Sequence, residues 1–169
     1  GRLPLFLEAA SIVLKEAGDQ VPVSLTTAGP FTTAANLRGT EHLLRDLCRD
    51  LEFVHRLLRF ATDSIIRFAR EVVLLGGRIG LAEPVASGTL ISRKQFLEFA
   101  APYLKEIIGT VGEFAGAPPS LHICGNSSRI WPDMADCGAG VLSLDDEVDI
   151  AEARLAVGDR VALLGNIRR

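Results

Sequence analysis

A chain of 169 residues, 48% of them hydrophobic, is long enough to bury one sizeable core, and its formal net charge of -3 leaves no basic excess for a nucleic-acid surface. No uninterrupted apolar run approaches the roughly 18 residues of a membrane span, and the first segment carries Glu8 and lacks a signal-peptide pattern. Three cysteines at irregular spacing, Cys48, Cys124 and Cys137, make no disulfide framework and fit a reducing compartment, so the cytoplasm is the expected location.

The chain alternates between helical and strand periods. Leu3, Leu5, Phe6, Ala9, Ile12 and Val13 predict a helix that Gly18 stops. Val21 to Thr26 reads as a strand, followed by a turn at Ala28-Gly29-Pro30-Phe31. From Thr40 to about Leu75 apolar residues recur at steps of three and four, predicting two successive helices with a break near Asp50. Ile79 to Ala82 is a short strand and Glu83 to Gly88 the loop at its carboxyl end. Ser92-Arg93-Lys94-Gln95 has the form of a capping box, and Pro102 starts a second segment of the helix that follows.

Beyond Pro118-Pro119 comes the strand Ser120 to Cys124. A helix over Asn126 to Cys137, a strand over Val141 to Leu144, a helix over Asp149 to Val157 and a strand over Val161 to Leu164 complete the reading. Cys124 to Asp145 and Asp145 to Asn166 are both 21 residues, the spacing of two successive βα units. Strands alternating with helices imply a parallel sheet, and repeated βα units without a glycine-rich phosphate fingerprint favour a barrel. The fold class is α/β: a partial (β/α)8 barrel with about five of the eight strands, in a single domain over 1–169 that lacks the first strands and the last one.

The most informative stretch is His122-Ile123-Cys124-Gly125-Asn126. Alternate strand side chains share a face, so His122 and Cys124 point into the same space, an arrangement that suits zinc. The same pair also fits a hydrogen-bonded core histidine beside a buried thiol. Active sites of such barrels lie at the carboxyl ends of the strands. That rule collects Thr26 to Phe31, Glu83 to Ser87, His122 to Asn126, Asp145, Asp146 and Asn166 on one rim. Asp145 reads equally as a site carboxylate or a loop and capping residue, and Asn166 as a site carboxamide or a turn residue. The helix expected to start near Ser127 would aim amide groups at this rim and favour an anionic substrate group.

Gly29-Pro30-Phe31-Thr32, Glu83 to Ser87, Phe96 to Tyr103, His122 to Asn126, Ser143-Leu144-Asp145 and Gly165-Asn166-Ile167 together resemble the uroporphyrinogen decarboxylase superfamily. Within it they are most similar to the methylcobamide:coenzyme M methyltransferase branch. The resemblance implies a zinc-dependent methyltransferase that moves a methyl group from a methylated corrinoid (methylcobamide) to a small thiol such as coenzyme M. It also implies His122 and Cys124 as zinc ligands, with a further cysteine expected beyond Arg169. Asp145 and Glu83 are the candidate catalytic residues, and Asn126 and Asn166 the candidate cofactor contacts.

No cobalamin-binding motif of the Asp-x-His-x-x-Gly kind is present, so the corrinoid would arrive on a partner protein. The sequence departs from the family at Arg168-Arg169, where a turn is usual. Cys48 and Cys137 are expected to be packing residues. Two alternatives stay open: a metal-free decarboxylase-like enzyme, and a truncated, non-catalytic barrel remnant that forms homo-oligomers through its open sheet edges.

Overall fold

The computed structural model describes residues 2–167, so the Arg168-Arg169 departure lies outside the described residues. Helix α1 (Leu3–Ala17) is followed by β1 (Ser24–Ala28), α2 (Pro30–Arg38), α3 (Thr40–Asp46) and the long α4 (Leu51–Leu74). Then come β2 (Arg78–Ala82), a 3-10 turn at Pro84–Ala86, the single turn α5 (Arg93–Gln95), a π-helical turn at Phe96–Ala100 and α6 (Ala101–Ala115). The last part is β3 (Ser120–Ile123), a 3-10 turn at Ser128–Ile130, α7 (Trp131–Asp136), β4 (Val141–Leu144), α8 (Ile150–Val157) and β5 (Ala162–Leu164).

All five strands are parallel, in the order β1-β2-β3-β4-β5, so each helical crossover returns the chain to the neighbouring position. This is the sequential winding of a (β/α) barrel, and it confirms the expected partial barrel. Alternation sorts the side chains. Leu25, Ile79, Leu81, Leu121, Ile123, Leu142 and Leu144 face the helices, and all but the half-buried Leu25 are buried there. The other face carries Ser24, Thr26, Gly80, Ser120, His122 and Ser143, small or polar residues that line the barrel's inner side.

Helix α4 supplies most of the outer cover. Val54, Leu58, Ala61, Ile65, Ala69 and Val72 recur at steps of three and four and are buried along one stripe. The break expected near Asp50 is real: its carboxylate caps α4 by accepting from Phe53 N at 3.0 Å. The capping box is also present, with Gln95 N donating to Ser92 Oγ at 3.2 Å and Ser92 N to Gln95 Oε1 at 3.0 Å. Pro102 stands in the first turn of α6, and the widened turn before it absorbs a ring that carries no N–H.

Several expectations shift. The first strand runs from Ser24 rather than Val21, because Pro22 has no ladder donor. The Gly29-Pro30 turn opens helix α2, with extended Gly29 as the cap and Pro30 at its first position. The helix expected over Asn126 to Cys137 divides into a 3-10 turn and α7, with Pro132 in the first turn of α7, so no helix starts at Ser127. Cys137 is buried as expected, but Cys48 is exposed on the turn after α3 and is not a packing residue. No described helix is long and apolar enough to cross a membrane.

Asp50→Ala is expected to cost about 1 kcal/mol by uncapping α4, a fall of roughly 2–4 °C in the melting midpoint. Asp50→Asn should retain most of it. Equal melting of the alanine variant and the parent would show that the cap contributes nothing.

Candidate functional site

The register of β3 on β4 pairs His122 with Ser143, on the inner face. His122 Nδ1 lies 3.0 Å from the Ser143 carbonyl oxygen and 3.2 Å from Ser143 Oγ. A carbonyl can only accept, so Nδ1 carries the proton and Nε2 presents its lone pair. That lone pair points at Cys124 Sγ, 3.2 Å away, just past the end of β3. The chain therefore fixes the imidazole in the tautomer a metal ligand needs, through the outer contact that such ligands usually make.

Asp145 stands just past the end of β4, on the same side. Its Oδ2 accepts from Gly125 N at 2.8 Å and its Oδ1 from Asp146 N at 2.7 Å. These backbone donors, Gly125 foremost, hold its carboxyl below the usual carboxylate range, so it is charged at neutral pH. Burial first, and the Asp145 charge second, push the Cys124 thiol up. One ligand atom each of His122, Cys124 and Asp145 lies within 4.8 Å of the others.

The three residues fit a zinc ion. Tetrahedral zinc with nitrogen and sulfur donors near 2.0 and 2.3 Å separates two ligands by roughly 3.5 Å, close to the His122–Cys124 distance. A thiolate and a carboxylate together balance a divalent charge, and the cation reverses the conditions that raise the Cys124 thiol.

The remaining rim residues hold the backbone. Asn166 donates through Nδ2 to the Asp145 carbonyl at 3.0 Å and also to the Val148 carbonyl, pinning the turn that carries Asp145. Gly165 permits this approach, since a Cβ there would lie 2.5 Å from the Leu144 carbonyl oxygen. Asn166 lines a cavity of about 500 Å³ with His122, Leu144, Asp145, Asp146 and Ile167. Asn126 is exposed and its Oδ1 accepts from Ser128 N and Oγ at 3.1 and 2.7 Å.

Glu83, expected as a candidate catalytic residue at the rim, is instead turned into the protein, with 0% of its surface exposed. Its Oε2 accepts from Phe31 N at 2.9 Å and its Oε1 from Thr32 N at 2.7 Å, capping the first turn of α2. Its own N–H donates to the His122 carbonyl at 2.8 Å. The same residue thus ties α2 to the strand that carries the imidazole. Gly29 leaves the space it fills, as a Cβ there would come within 2.6 Å of Glu83 Cδ.

Ser143 is part of the family resemblance but is given no site role by sequence. The signal was available, because Ser143 and Asp145 alternate on β4 as His122 and Cys124 do on β3. Nothing in sequence pairs Glu83 with the α2 amides some 50 positions away.

Burial pushes the Glu83 carboxyl up to about 7 from 4.5, against the opposing pull of the Thr32 and Phe31 donors. The folded chain thus holds this proton more tightly than the unfolded one. The group's contribution to stability is complete below about 4.5 and fades as pH rises through about 7. Glu83→Gln cannot ionise and is expected to flatten that decline in urea titrations. It should cost about 1–3 kcal/mol at the acid end, where its NH2 faces a backbone donor. An unchanged pH profile would show that Glu83 is not the titrating group.

Comparison with known proteins gives a consistent result. The chain is 34% identical over 168 residues to a methylcobamide:CoM methyltransferase of Methanosarcina barkeri, covering 98% of this chain and 48% of that protein. A uroporphyrinogen decarboxylase of Cellvibrio japonicus is 31% identical over 173 residues, with 98% and 48% covered. A solved methyltransferase from Methanosarcina mazei superposes with a TM-score of 0.92 at 32% identity, over 99% of this chain and 49% of that one. The chain thus spans about half the length of the curated relatives it matches. The profile described as uroporphyrinogen decarboxylase (URO-D) matches residues 1–169, and the chain belongs to that family.

Proposed function

We propose that the chain is the metal-binding part of a methyltransferase that moves a methyl group from a methylated corrinoid, carried on a partner protein, to a small thiol. The carrying observation is the convergence of His122, Cys124 and Asp145 within 4.8 Å, with the His122 tautomer already set by Ser143. The similarity to methylcobamide:CoM methyltransferases supports the direction of transfer and the thiol acceptor. The cytoplasm, which keeps thiols reduced, is the proposed compartment.

His122 Nε2, Cys124 Sγ and one Asp145 oxygen would hold zinc. When bound, zinc lowers the pKa of a coordinated substrate thiol so that it is a thiolate at neutral pH. The chain's own residues do the rest. Ser143 keeps the imidazole proton on Nδ1, and Gly125 N and Asp146 N hold the Asp145 carboxylate ionised and oriented. Asn166 fixes the turn beneath it. The partner's corrinoid would supply an electrophilic methyl group and keep the electron pair of the bond that is lost, and the acceptor sulfur would gain the new S–C bond. The thiol proton goes to solvent. Glu83 acts as a positioning residue through its backbone bond to His122.

Elemental analysis tests this reading. About one zinc per chain is expected, falling to near zero in His122→Ala and Cys124→Ser. Affinity should rise with pH, because the Cys124 proton must leave. Asp145→Asn should weaken binding by about 10–100-fold or more while the fold is kept. Absence of zinc in the parent, on this chain and on a longer gene product alike, would overturn the reading and favour metal-free, decarboxylase-like chemistry.

A further inference from the structure

Two glycines of the rim exclude a side chain for different reasons. At Gly29 the reason is space: its φ of -72° is open to any residue, but a Cβ would come within 2.6 Å of Glu83 Cδ. At Gly125 space is free. The atoms nearest to a Cβ there are Glu147 Oε2 at 3.6 Å and Thr89 Oγ1 at 3.8 Å, ordinary contacts with the ends of two side chains. What sets Gly125 apart is its backbone, with φ at +71°, in the left-handed region that a Cβ makes costly. Among the described residues no position with a Cβ has a positive φ.

This conformation has a use. β3 ends at Ile123, and the chain has to leave the strand and enter the 3-10 turn at Ser128–Ile130. That far end is anchored: Ser127, Ile130 and Trp131 are buried, and Trp131 Nε1 donates to Ser127 Oγ at 3.1 Å. The near end is anchored by the pairing of β3 with β4. Between these fixed points a positive φ lets the chain turn while the Gly125 N–H points across the rim, where it donates to Asp145 Oδ2 at 2.8 Å. A negative φ would have to be absorbed between the two anchors, by rotation of the peptide that carries this N–H. The bond to Asp145 is what would be lost. Asp145 would then keep the Asp146 amide, a bond within its own turn at 2.7 Å, and nothing from Gly125 would hold it to the residue after Cys124.

Resting on the metal-site reading above, we infer that Gly125 is a positioning residue that acts through Asp145. Its left-handed backbone aims the N–H that latches the turn after β4 to the turn after β3, so that the carboxylate stands beside Cys124 before an ion arrives. The Asp145 carbonyl is held from the other side by Asn166 Nδ2 at 3.0 Å, so the latch joins the ends of β3, β4 and β5. Because the position has room, tolerance should follow the readiness of a residue to adopt a positive φ and not its size. Asparagine, larger than alanine, enters the left-handed region more readily. Valine, branched at Cβ, is the worst placed.

Zinc affinity and amide exchange in the full chain test this. Gly125→Asn is expected to bind zinc within about 3-fold of the parent, Gly125→Ala about 10-fold more weakly and Gly125→Val more weakly still. In an Asp145→Ala background Gly125→Ala should cost no further affinity, the non-additivity expected of a residue that acts through another. In the metal-free chain the residue-125 amide proton should exchange slowly in the parent and in Gly125→Asn, and fast in Gly125→Ala and in Asp145→Ala. Unchanged Trp131 fluorescence would report that the turn is intact in each variant. Affinities that follow side-chain size, or additive losses in the double variant, would overturn the inference. Should Gly125→Ala fail to fold, Asp145→Ala, which leaves the backbone untouched, still decides: a residue-125 amide unaffected by it sinks the latch. A parent chain that takes up no zinc but protects this amide, and loses the protection in Asp145→Ala, rejects the metal reading and leaves the latch standing.

Discussion

Everything at the rim depends on how β3 lies against β4. Parallel pairing with His122 opposite Ser143 gives the imidazole a backbone acceptor for Nδ1 and brings the Asp145 carboxylate within reach of Gly125 N. A slip of one residue would turn His122 toward the helices and Leu121 toward the lumen, because strand side chains alternate. The apolar outer face prevents that slip. Leu121 and Ile123 are buried against the helical layer beside Leu142 and Leu144 of β4, and the slip would take these two large side chains out of that layer. The hydrophobic pattern that folds the sheet is thus the same constraint that brings His122, Cys124 and Asp145 together.

The inner face has a different economy. Small residues on β1, β2 and β3, including Gly80 opposite both Thr26 and Ser120, leave the interior uncrowded. A Cβ on Gly80 would come within 2.9 Å of Ser120 Oγ. Toward the carboxyl ends the residues become polar and are held by backbone groups rather than by other side chains. Asp145 and Glu83 each accept from two amides, His122 donates to a carbonyl and Asn166 donates to two. Backbone partners are fixed by the fold, so these side chains are oriented before any ligand arrives.

Much of this was legible in the sequence and some was not, for identifiable reasons. The alternation of His122 and Cys124 and the 21-residue steps to Asp145 and Asn166 locate the rim correctly, since both follow from strand periodicity and the length of a βα unit. The α4 stripe and the Asp50 and Ser92 caps were readable because they are local. Helix α2 was not, since it is short, rich in threonine and alanine, and starts at a Gly-Pro pair that also reads as a turn. Its cap is not local either: the first-turn amides are satisfied by Glu83, a contact made by the tertiary fold. The inward turn of Glu83 escaped sequence reading for the same reason, because position at a strand's carboxyl end does not say whether a side chain faces the lumen or the neighbouring helix.

Glu83 also shows why rim position alone is a weak argument for catalysis. It sits on the loop after β2 as Asp145 sits on the loop after β4, yet the two carboxyls are driven in opposite directions. Asp145 is half-exposed and its two backbone donors hold its carboxyl down. Glu83 has donors of the same kind, but complete burial outweighs them and its carboxyl rises to about 7. Desolvation decides the difference, not hydrogen bonding. A carboxylate that must meet a cation in the lumen has to keep part of its hydration until the ion replaces it. Asp145 meets that requirement and Glu83 does not, so Asp145 suits the proposed metal site and Glu83 the backbone that carries His122.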